Sequence, residues 1–379
     1  MKVGKKKLKD DIDRIKQGRK LIGPEIELMV DANYSMSEKA AIKASLEFKK
    51  YDILWFEEPI EPDLFSSYAS IAAQTNVSLA MGENLHTQHE FDHAFRCANL
   101  SYIQPDASNC CGITGWLQVA KKAKKYGVRI VDTVETLVAQ VDAVLLESND
   151  GRVHLEQVVP VLAAGKPVFI DKPIAGSLVD TLVIFTLADY FNTPVFSSSS
   201  LRFASTTTSV RDGAIGEVLG CDTFSPCLLE KTHPDLFWYG IHGIESLFTV
   251  MGSECKSVIR TSTKEFDQVT GVWSGGRIGT FRGMRQGKRA YGGTAFGTKG
   301  VMSVGNHDGY RPLLLEIISF FKTGKSPVSM EETTAIYAFM EAADQSKQSQ
   351  KRVTIADVLK KASQSAKPIV ARQIAGLKK

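Results

Sequence analysis

The chain has 379 residues, of which 43% are hydrophobic, and carries a formal net charge of +4. This length and apolar content suffice for one large or two ordinary hydrophobic cores. The basic run Lys5-Lys6-Lys7 is followed closely by Asp10, Asp11 and Asp13, so we expect a solvated helix face and no nucleic-acid partner. No apolar run approaches the ~18 residues of a membrane span. The N-terminus has no apolar signal region and the six cysteines show no disulfide spacing, which predicts a cytoplasmic protein without a membrane partner.

The first 126 residues alternate predicted strands and helices joined by short loops. In chain order, we expect a helix over 8–20, a strand over 26–30, a helix over 37–50, a strand over 52–56, a helix over 65–73, strands over 77–81 and 100–104 with a further helix between them, and a helix over 115–125. This alternation favours parallel βα units over a β-sandwich.

Each of three predicted strands ends in a carboxylate. These residues are Asp31, Glu57 and Glu83, they lie 26 residues apart, and Asp106 follows the next strand after a further 23. The carboxyl ends of the strands of a (β/α)8 barrel form its active-site mouth. Three carboxylates meeting there would repel one another unless a cation lay between them, and such hard oxygen ligands suit Mg²⁺. The alternative is that each acid only caps the helix that follows it.

Four short motifs carry these carboxylates, and a fifth follows them. They are Leu28-Met29-Val30-Asp31-Ala32-Asn33, Trp55-Phe56-Glu57-Glu58-Pro59, Met81-Gly82-Glu83-Asn84, Gln104-Pro105-Asp106-Ala107 and Cys111-Gly112-Ile113-Thr114-Gly115-Trp116. In this order they resemble the mandelate racemase-like branch of the enolase superfamily. The resemblance implies Asp31, Glu57 and Glu83 as Mg²⁺ ligands. It also implies that a base removes the proton next to a substrate carboxylate.

The same resemblance points to two catalytic residues. Lys2 in Lys2-Val3-Gly4 matches the second lysine of the family's Lys-x-Lys motif, and Asp106 matches the aspartate of its His–Asp dyad. Glu58 would be a neighbour in the site. The strand expected to carry the dyad histidine reads Arg129-Ile130-Val131-Asp132-Thr133, and the family's capping domain and first barrel strand have no counterpart in this chain. We therefore expect metal binding from these residues, and not turnover.

Beyond residue 126 the pattern changes twice. The first predicted elements are strands over 142–147, 167–170 and 194–196 and helices over 153–164 and 180–191. Their βαβαβ order fits part of a doubly wound sheet. After Glu217 come strands over 218–224, 258–263, 268–273, 278–282 and 300–303, and then helices over 311–322 and 331–348. The glycine pairs Gly275-Gly276 and Gly292-Gly293 are typical of hairpin turns. From Lys367 onward the periodicity is weak, and we expect a frayed tail.

A second resemblance covers about residues 127–366. Two segments carry it, namely Ala163-Ala164-Gly165-Lys166-Pro167-Val168-Phe169-Ile170-Asp171-Lys172-Pro173 and Phe296-Gly297-Thr298-Lys299-Gly300. Both resemble the Gfo/Idh/MocA family of NAD(P)-dependent sugar oxidoreductases. The resemblance implies that Asp171, Lys172 and Pro173 contact the cofactor and that Lys172 is also catalytic. A lysine at a strand end can polarise or protonate a sugar oxygen. The alternative is a surface lysine beside a helix-starting proline.

Two further residues are candidates through this resemblance. His242 in Gly240-Ile241-His242-Gly243-Ile244-Glu245 matches the family's catalytic histidine on the substrate side, with a structural histidine as the alternative. The family often has an aspartate four residues earlier, where this chain has Trp238. Arg202 in Ser200-Leu201-Arg202-Phe203 is a candidate for contacting the substrate.

The second resemblance implies NAD or NADP as a cofactor. A dinucleotide site normally uses Gly-x-Gly-x-x-Gly after its first strand, because glycine lets backbone N–H groups reach the pyrophosphate. An acidic residue about 20 positions later normally holds the ribose. The glycine motif does not occur in the chain. We therefore do not expect tight NAD(P) binding from these residues alone.

Together these patterns predict an α/β chain with four regions. We expect partial (β/α)8 barrel units over 1–126, a partial Rossmann-like NAD(P)-binding domain over 127–213, an α+β domain with a mainly antiparallel sheet over 214–366, and a tail over 367–379. Sheet edges and apolar faces left open by the incomplete units predict a homo-oligomer.

Three functions follow from this organisation. The first is a Gfo/Idh/MocA-like NAD(P)-dependent oxidoreductase of sugar-type substrates, fused to an enolase-superfamily segment. The second is a Mg²⁺-dependent dehydratase or racemase of sugar acids, of the mandelate racemase type. The third is an inactive chimera or gene-assembly product, joined where Tyr126-Gly127-Val128 fits both families. The partner in the first two cases is a small sugar or sugar acid.

Overall fold

The computed structural model describes residues 1–106, 109–110, 112–126 and 133–377. The chain divides into two compact units, Met1–Asp132 and Thr133–Lys379. Among the described residues, no helix has both the length and the apolar character needed to cross a bilayer.

The N-terminal unit is a parallel sheet whose strands alternate with helices. Its elements are α1 (Leu8–Ile22), β1 (Leu28–Asp31), α2 (Glu38–Phe48), β2 (Ile53–Glu57), α3 (Phe65–Thr75), β3 (Leu79–Met81), α4 (Gln88–Cys97), β4 (Tyr102–Ile103) and α5 (Gly112–Lys125). The strand order is β1-β2-β3-β4, and every described pairing between these strands is parallel. The predicted βα units are therefore confirmed as the local architecture.

Local sequence explains how these elements begin, end and pack. The hydroxyl of Ser37 accepts the Ala40 N–H and caps α2, as N-cap serines do. Asp11 is fully buried because its carboxylate accepts the backbone N–H groups of Gly4 and Lys5 at 3.0 and 2.8 Å. The core of this unit is built by buried residues of the strands and of the helices that cover them, among them Val30, Phe48, Phe56, Leu79 and Phe91. Burying this apolar surface is the main favourable term for the unit.

The C-terminal unit begins with a small parallel sheet. Its first elements are α6 (Val134–Val138), β5 (Val144–Leu146), α7 (His154–Ala163), β6 (Val168–Ile170), α8 (Leu178–Phe191), β7 (Val195–Phe196) and α9 (Ser205–Arg211). The strand order is β5-β6-β7 and the pairing is parallel. The predicted βαβαβ order is confirmed. The expected strand at 129–133 falls largely on residues 129–132, which lie outside the described residues.

A seven-stranded mixed sheet follows. Its elements are β8 (Val218–Pro226), α10 (Gly240–Met251), β9 (Cys255–Ser262), β10 (Phe266–Trp273), β11 (Ile278–Met284), β12 (Gly292–Gly297), β13 (Gly300–Val304), α11 (Arg311–Thr323), α12 (Met330–Ser349), β14 (Val353–Thr354) and α13 (Ile355–Leu377). The strand order is β13-β12-β8-β11-β10-β9-β14. Within the described part of this sheet, only the β8–β11 pair is parallel. The mainly antiparallel α+β architecture is confirmed.

Two local predictions for this unit are wrong. Gly292-Gly293 does not form a turn but opens β12, where an added Cβ on Gly293 would lie 2.3 Å from the Asp222 carbonyl oxygen of β8. The expected frayed tail from Lys367 is instead the second half of α13, which contains Pro368 and continues to Leu377. Partly buried Ile369, Val370 and Ile374 pack against the core, so tertiary burial stabilises a segment whose local pattern is weak.

Candidate functional sites

The first candidate site lies where β1, β2 and β3 end. Asp31 is the last residue of β1 and Glu57 the last of β2, and they are register partners in the parallel ladder. Glu83 follows β3 by two residues. The structure brings these three side chains together, since one carboxylate oxygen of each lies within 4.8 Å of the others.

Neighbouring groups hold each carboxylate in place. The Asn33 backbone N–H donates to Asp31 Oδ1 at 2.7 Å, and Trp55 Nε1 donates to Glu57 Oε2 at 3.3 Å. Glu83 is positioned through its backbone, because Asn109 Nδ2 donates to the Glu83 carbonyl oxygen at 2.7 Å. The three acids therefore sit on fixed strand ends and not on long flexible loops.

Gly82 sets the path of the chain between β3 and Glu83. Its φ is +142°, and a Cβ added there would lie 2.9 Å from the backbone of Gln104. Only glycine combines this backbone angle with so close an approach to the neighbouring strand end. The glycine before Glu83 thus allows the third carboxylate to reach the other two.

The charges in this cluster influence one another. Burial, and then the nearby charge of Asp31, raise the pKa of Glu57. Lys2 forms an ion pair with Asp31 and donates to Asn33 Oδ1 at 3.3 Å. Burial lowers the pKa of Lys2, but its hydrogen bond to Asp31 and the charge of Asp31 outweigh burial and raise it. The structure therefore places the predicted catalytic lysine in contact with a predicted metal ligand.

The other acids nearby have structural partners. Asp106 Oδ1 accepts the Asn109 backbone N–H at 3.0 Å, so it fixes the loop whose Asn109 holds Glu83. The Glu58 carboxylate is buried and accepts a hydrogen bond from Asn84 Nδ2 at 2.5 Å. Residues 107, 108 and 111 of the predicted motifs, and residues 129–132 of the strand expected to carry the dyad histidine, lie outside the described residues.

The donor set fits a divalent cation. Oxygens bound to one cation lie no more than twice the metal–oxygen distance apart, which is ~4 Å for Mg²⁺ and ~5 Å for Ca²⁺. The three carboxylate oxygens lie within 4.8 Å of one another, so they can close on either ion with small side-chain adjustments. A cation would also offset the repulsion from Asp31, which adds to burial in raising the pKa of Glu57. Asp31, Glu57 and Glu83 are therefore the residues that would hold it.

The second candidate site lies at the ends of β5 and β6. Leu146 and Ile170 are register partners, so Glu147 and Asp171 leave the sheet at the same edge. Burial, and then the charge of Asp171, raise the pKa of Glu147 to about 7. Burial also raises the pKa of Asp171 and lowers that of Lys172, the residue after it. Sequence reasoning missed Glu147, although it follows a short apolar strand as Glu57 does.

Aromatic rings enclose Lys172. Its Nζ lies 5.4 Å from the centroid of the Trp238 ring and 5.5 Å from that of Tyr239. A cation over aromatic faces is stabilised while partly desolvated, which suits a lysine held inside a site. Lys172 is therefore no ordinary surface lysine.

His154 joins the two loops that form this site. Its ring is fully buried, with Nδ1 2.9 Å from the Pro173 carbonyl oxygen and Nε2 2.7 Å from the Ser148 carbonyl oxygen. The contact to Pro173 fixes the backbone beside Lys172, whose peptide bond to Pro173 is cis. The sequence shows this residue only as the first histidine after position 126.

His242 lies on α10, near Lys172 and Tyr239. Its Nδ1 is 2.7 Å from Ser199 Oγ, and its ring contacts those of Tyr239 and Tyr291, with centroids 5.7 and 5.9 Å away. Burial, and then the charges of Lys172 and His307, lower the pKa of His242 to about 3. The structure therefore groups Lys172 and His242 in one electrostatic environment.

Arg202 has ion-pair partners inside the fold. Its side chain is 3% exposed, its Nε donates to Glu245 Oε1 at 2.8 Å, and its Nη1 lies 2.8 Å from Glu332 Oε1. These ion pairs tie the 3₁₀ turn Ser200–Phe203 to α10 and α12. The arginine is used inside the fold, and the sequence alone does not show its two distant partners.

Known proteins are similar to this chain in two ways, by sequence and by fold. Residues 1–155 match a family model described as enolase C-terminal domain-like. The 3,6-anhydro-alpha-L-galactonate cycloisomerase of Streptomyces coelicolor is 32% identical over 48% of this chain and 52% of its own length. The L-talarate/galactarate dehydratase of Salmonella typhimurium is 30% identical over 34% of this chain and 33% of its own length. The chain thus spans about half the length, or less, of the curated relatives it matches.

A second similarity is to a solved structure. The scyllo-inositol dehydrogenase of Lactobacillus casei, solved with bound NAD(H) and scyllo-inositol, has a TM-score of 0.53 and 17% identity over 63% of this chain and 88% of that chain. Identity this low shows a shared fold and nothing further. The chain is therefore similar in sequence to enolase-superfamily proteins and similar in fold to a sugar dehydrogenase. Both similarities agree with the two resemblances seen in the sequence. The region that matches the enolase C-terminal domain-like model contains the carboxylate cluster, and Lys172 and His242 lie outside that region.

Proposed function

We propose that the enolase-superfamily segment binds Mg²⁺ through Asp31, Glu57 and Glu83 and, with it, the carboxylate end of a sugar acid. The observation that carries this proposal is the meeting of the three strand-end carboxylates within 4.8 Å. Two relatives of this segment support the substrate class, since their names give a cycloisomerase acting on a galactonate derivative and a talarate/galactarate dehydratase.

The residues around the cluster fit this chemistry. A bound divalent cation would neutralise the carboxylate of the substrate and make the proton on the adjacent carbon more acidic. Lys2 stands beside Asp31 and is the residue we propose to take up or return that proton. Asp106 and Asn109 keep the loop at Glu83 in position.

Metal titration of the full chain tests the proposal directly. We expect isothermal calorimetry with Mg²⁺ and with Mn²⁺ to give one site per chain, and Glu83→Gln to weaken it at least tenfold. The matched control is Glu47→Gln, whose carboxylate forms a helix-surface pair with Lys50 and should leave the affinity unchanged. If neither metal binds at millimolar concentration, the proposal is wrong.

Chemistry is tested separately from binding. The sequence alone predicts metal binding without turnover, but the contact between Lys2 and Asp31 favours a single proton-transfer step. We therefore expect the metal-loaded chain to exchange the proton next to the carboxylate of at least one member of a panel of sugar acids in D₂O, as followed by NMR. Lys2→Met should abolish the exchange and leave the calorimetric site in place. Metal binding with no exchange on any member would restrict the function to binding.

We also propose that the C-terminal unit binds a sugar or polyol at Lys172 and His242. The enclosure of Lys172 by Trp238 and Tyr239 favours it, because aromatic faces and polar hydrogens together suit a polyol. The scyllo-inositol complex of the dehydrogenase with the same fold supports this ligand class. Titration with a panel of inositols and sugars, followed by Trp238 fluorescence and by calorimetry, tests it; no binding at tens of millimolar would remove it.

A nicotinamide cofactor fits this unit only in part. Lys172 stands where the family resemblance places the ribose contact, but the chain has no glycine-rich pyrophosphate motif. The described strand ends instead carry the carboxyl groups of Glu147 and Asp171, whose charge would oppose a pyrophosphate. The residues do not fit the whole cofactor, so we derive no hydride transfer. Titration with NADH and NADPH checks this, and micromolar affinity for either would contradict it.

The third hypothesis, a chimera that exists only as an assembly product, makes a different prediction. Cleavage before aspartate leaves residues 106–131 as one peptide, because no aspartate lies between Asp106 and Asp132. This peptide crosses the junction at Tyr126-Gly127-Val128. Its detection by mass spectrometry in the source cells would exclude an artefact.

A further inference from the structure

We propose that Ser199 holds His242 in the tautomer whose proton is on Nε2, which makes His242 a neutral hydrogen-bond donor to a carbonyl or hydroxyl oxygen of a sugar-type ligand. This inference rests on the second function above, the binding of a sugar or polyol by the C-terminal unit. Ser199 is then a positioning residue. His242 is then a hydrogen-bond donor and not a general base.

The hydrogen bonds of Ser199 decide the tautomer. Its Oγ lies 2.7 Å from His242 Nδ1 and already accepts the Leu201 backbone N–H at 3.2 Å. A hydroxyl has a single proton to donate. Within the described part of the chain, His242 Nδ1 is the acceptor that this hydroxyl reaches. If Nδ1 carried the ring proton, the Ser199 hydroxyl would have no acceptor among the described residues, so we infer that the hydroxyl donates to Nδ1 and that the proton of the neutral ring is on Nε2.

Ser199 is itself held firmly. Its backbone N–H donates to Glu245 Oε2 at 2.8 Å, and the hydroxyl of the preceding Ser198 donates to Glu245 Oε1 at 2.6 Å. Arg202 pairs with the same carboxylate. Because Glu245 is buried and bonded on both oxygens, the Ser199 hydroxyl has a fixed position relative to α10, the helix that carries His242.

The surroundings of His242 keep the ring neutral. Burial, and then the positive charge of Lys172 and the nearby His307, lower its pKa to about 3. The rings of Tyr239 and Tyr291 also pack against the imidazole. The position four residues before His242, where the family often has an aspartate, is occupied by Trp238, which cannot orient or charge an imidazole.

The other ring nitrogen is available to a ligand. Nε2 of His242 makes no hydrogen bond to another described residue, whereas Nδ1 is used by Ser199. A neutral Nε2–H beside a lysine presents donors and no acceptor. Such a pair recognises an oxygen with free lone pairs, as in a ketose or a polyol, and does not remove a proton from it.

The tautomer can be read without any turnover. The full chain is labelled with ¹⁵N-histidine, and long-range ¹H–¹⁵N spectra are recorded from pH 5 to 8, with His242→Gln assigning the signals. We expect a pyridine-type Nδ1 and a pyrrole-type Nε2 over the whole range. Ser199→Ala should populate the opposite tautomer, and Ser199→Thr should restore the first. Ser257→Ala is the matched control, because that hydroxyl accepts a hydrogen bond from Arg352 and contacts neither His242 nor Glu245.

Two results would overturn the proposal. The first is a pyrrole-type Nδ1 in the wild-type chain, which can be seen even if Ser199→Ala fails to fold. The second is a tautomer that stays the same in a folded Ser199→Ala variant. Failure of the sugar titration would remove the second function while leaving these ring signals as they are, so the two failures are distinguishable.

Discussion

Asp31 and Glu57 are direct partners in the parallel ladder between β1 and β2. Register partners project to the same face of a sheet, and a slip of one residue would send one of them to the other face. The preceding residues, Val30 and Phe56, are also register partners and are fully buried. The hydrophobic core that orders these two strands therefore also fixes the separation of their terminal carboxylates.

Replacing one of these carboxylates should have different effects on the stability of the metal-free protein and on the stability gained from Mg²⁺. Without metal, Glu57→Gln removes a like charge beside Asp31, so we expect the melting temperature to stay the same or rise. Wild-type protein should gain about 2.7 kcal/mol at a Mg²⁺ concentration of one hundred times Kd, and Glu57→Gln should lose most of this gain. Thermal unfolding with and without Mg²⁺ measures both effects. An equal Mg²⁺-dependent shift in both proteins would argue against the site.

Gly82→Ala should damage the same cluster through the backbone. Alanine would have to adopt a φ of +142°, and its Cβ would lie 2.9 Å from the Gln104 backbone. We therefore expect the unfolding free energy to fall by more than ~1 kcal/mol and metal binding to weaken. Urea unfolding and calorimetry measure the two effects. Gly23→Ala is the matched control, because its φ of +82° is also positive but the added Cβ meets nothing within 4 Å. A similar loss in both variants would show that the contact with Gln104 is unimportant.

Arg202 is expected to matter for stability. Arg202→Met leaves the buried Glu245 without its cation, which should cost about 3–5 kcal/mol. The expected result in urea is a large fall in the unfolding midpoint. Arg211→Met is the comparison, since Arg211 and Asp212 form an exposed pair of a kind that contributes little. If Arg202→Met were as stable as wild type yet lost sugar binding, the sequence-based role of Arg202 would be restored.

The low pKa of His242 has a consequence for stability against pH. The pKa is about 3 in the folded chain and 6.5 as the ordinary value, so between these values the unfolded state binds more protons. Stability then falls as the pH is lowered from about 6.5 towards 3. We expect His242→Gln to lose less stability over this window, as measured by urea unfolding between pH 4 and 7. Identical pH dependence in the two proteins would contradict the burial of a neutral imidazole.

Local sequence determined a large part of this protein. Alternating apolar runs and amphipathic segments fix the order of strands and helices, because each element must bury one face. The equal spacing of Asp31, Glu57 and Glu83 identified one sheet edge, since parallel strands joined by helices end at the same side. The motifs around these acids and around Lys172 gave both family resemblances.

Tertiary structure decided what the sequence could not. The sequence suggested Arg202 as a substrate contact and could not show its ion-pair partners. These partners, Glu245 and Glu332, are 43 and 130 residues away along the chain. The link from Ser199 to His242 spans 43 residues in the same way. Local periodicity carries no information about such contacts, because they form only when distant elements pack together. The sequence thus named the chemical groups, and the packing of the strands and helices decided which of them meet.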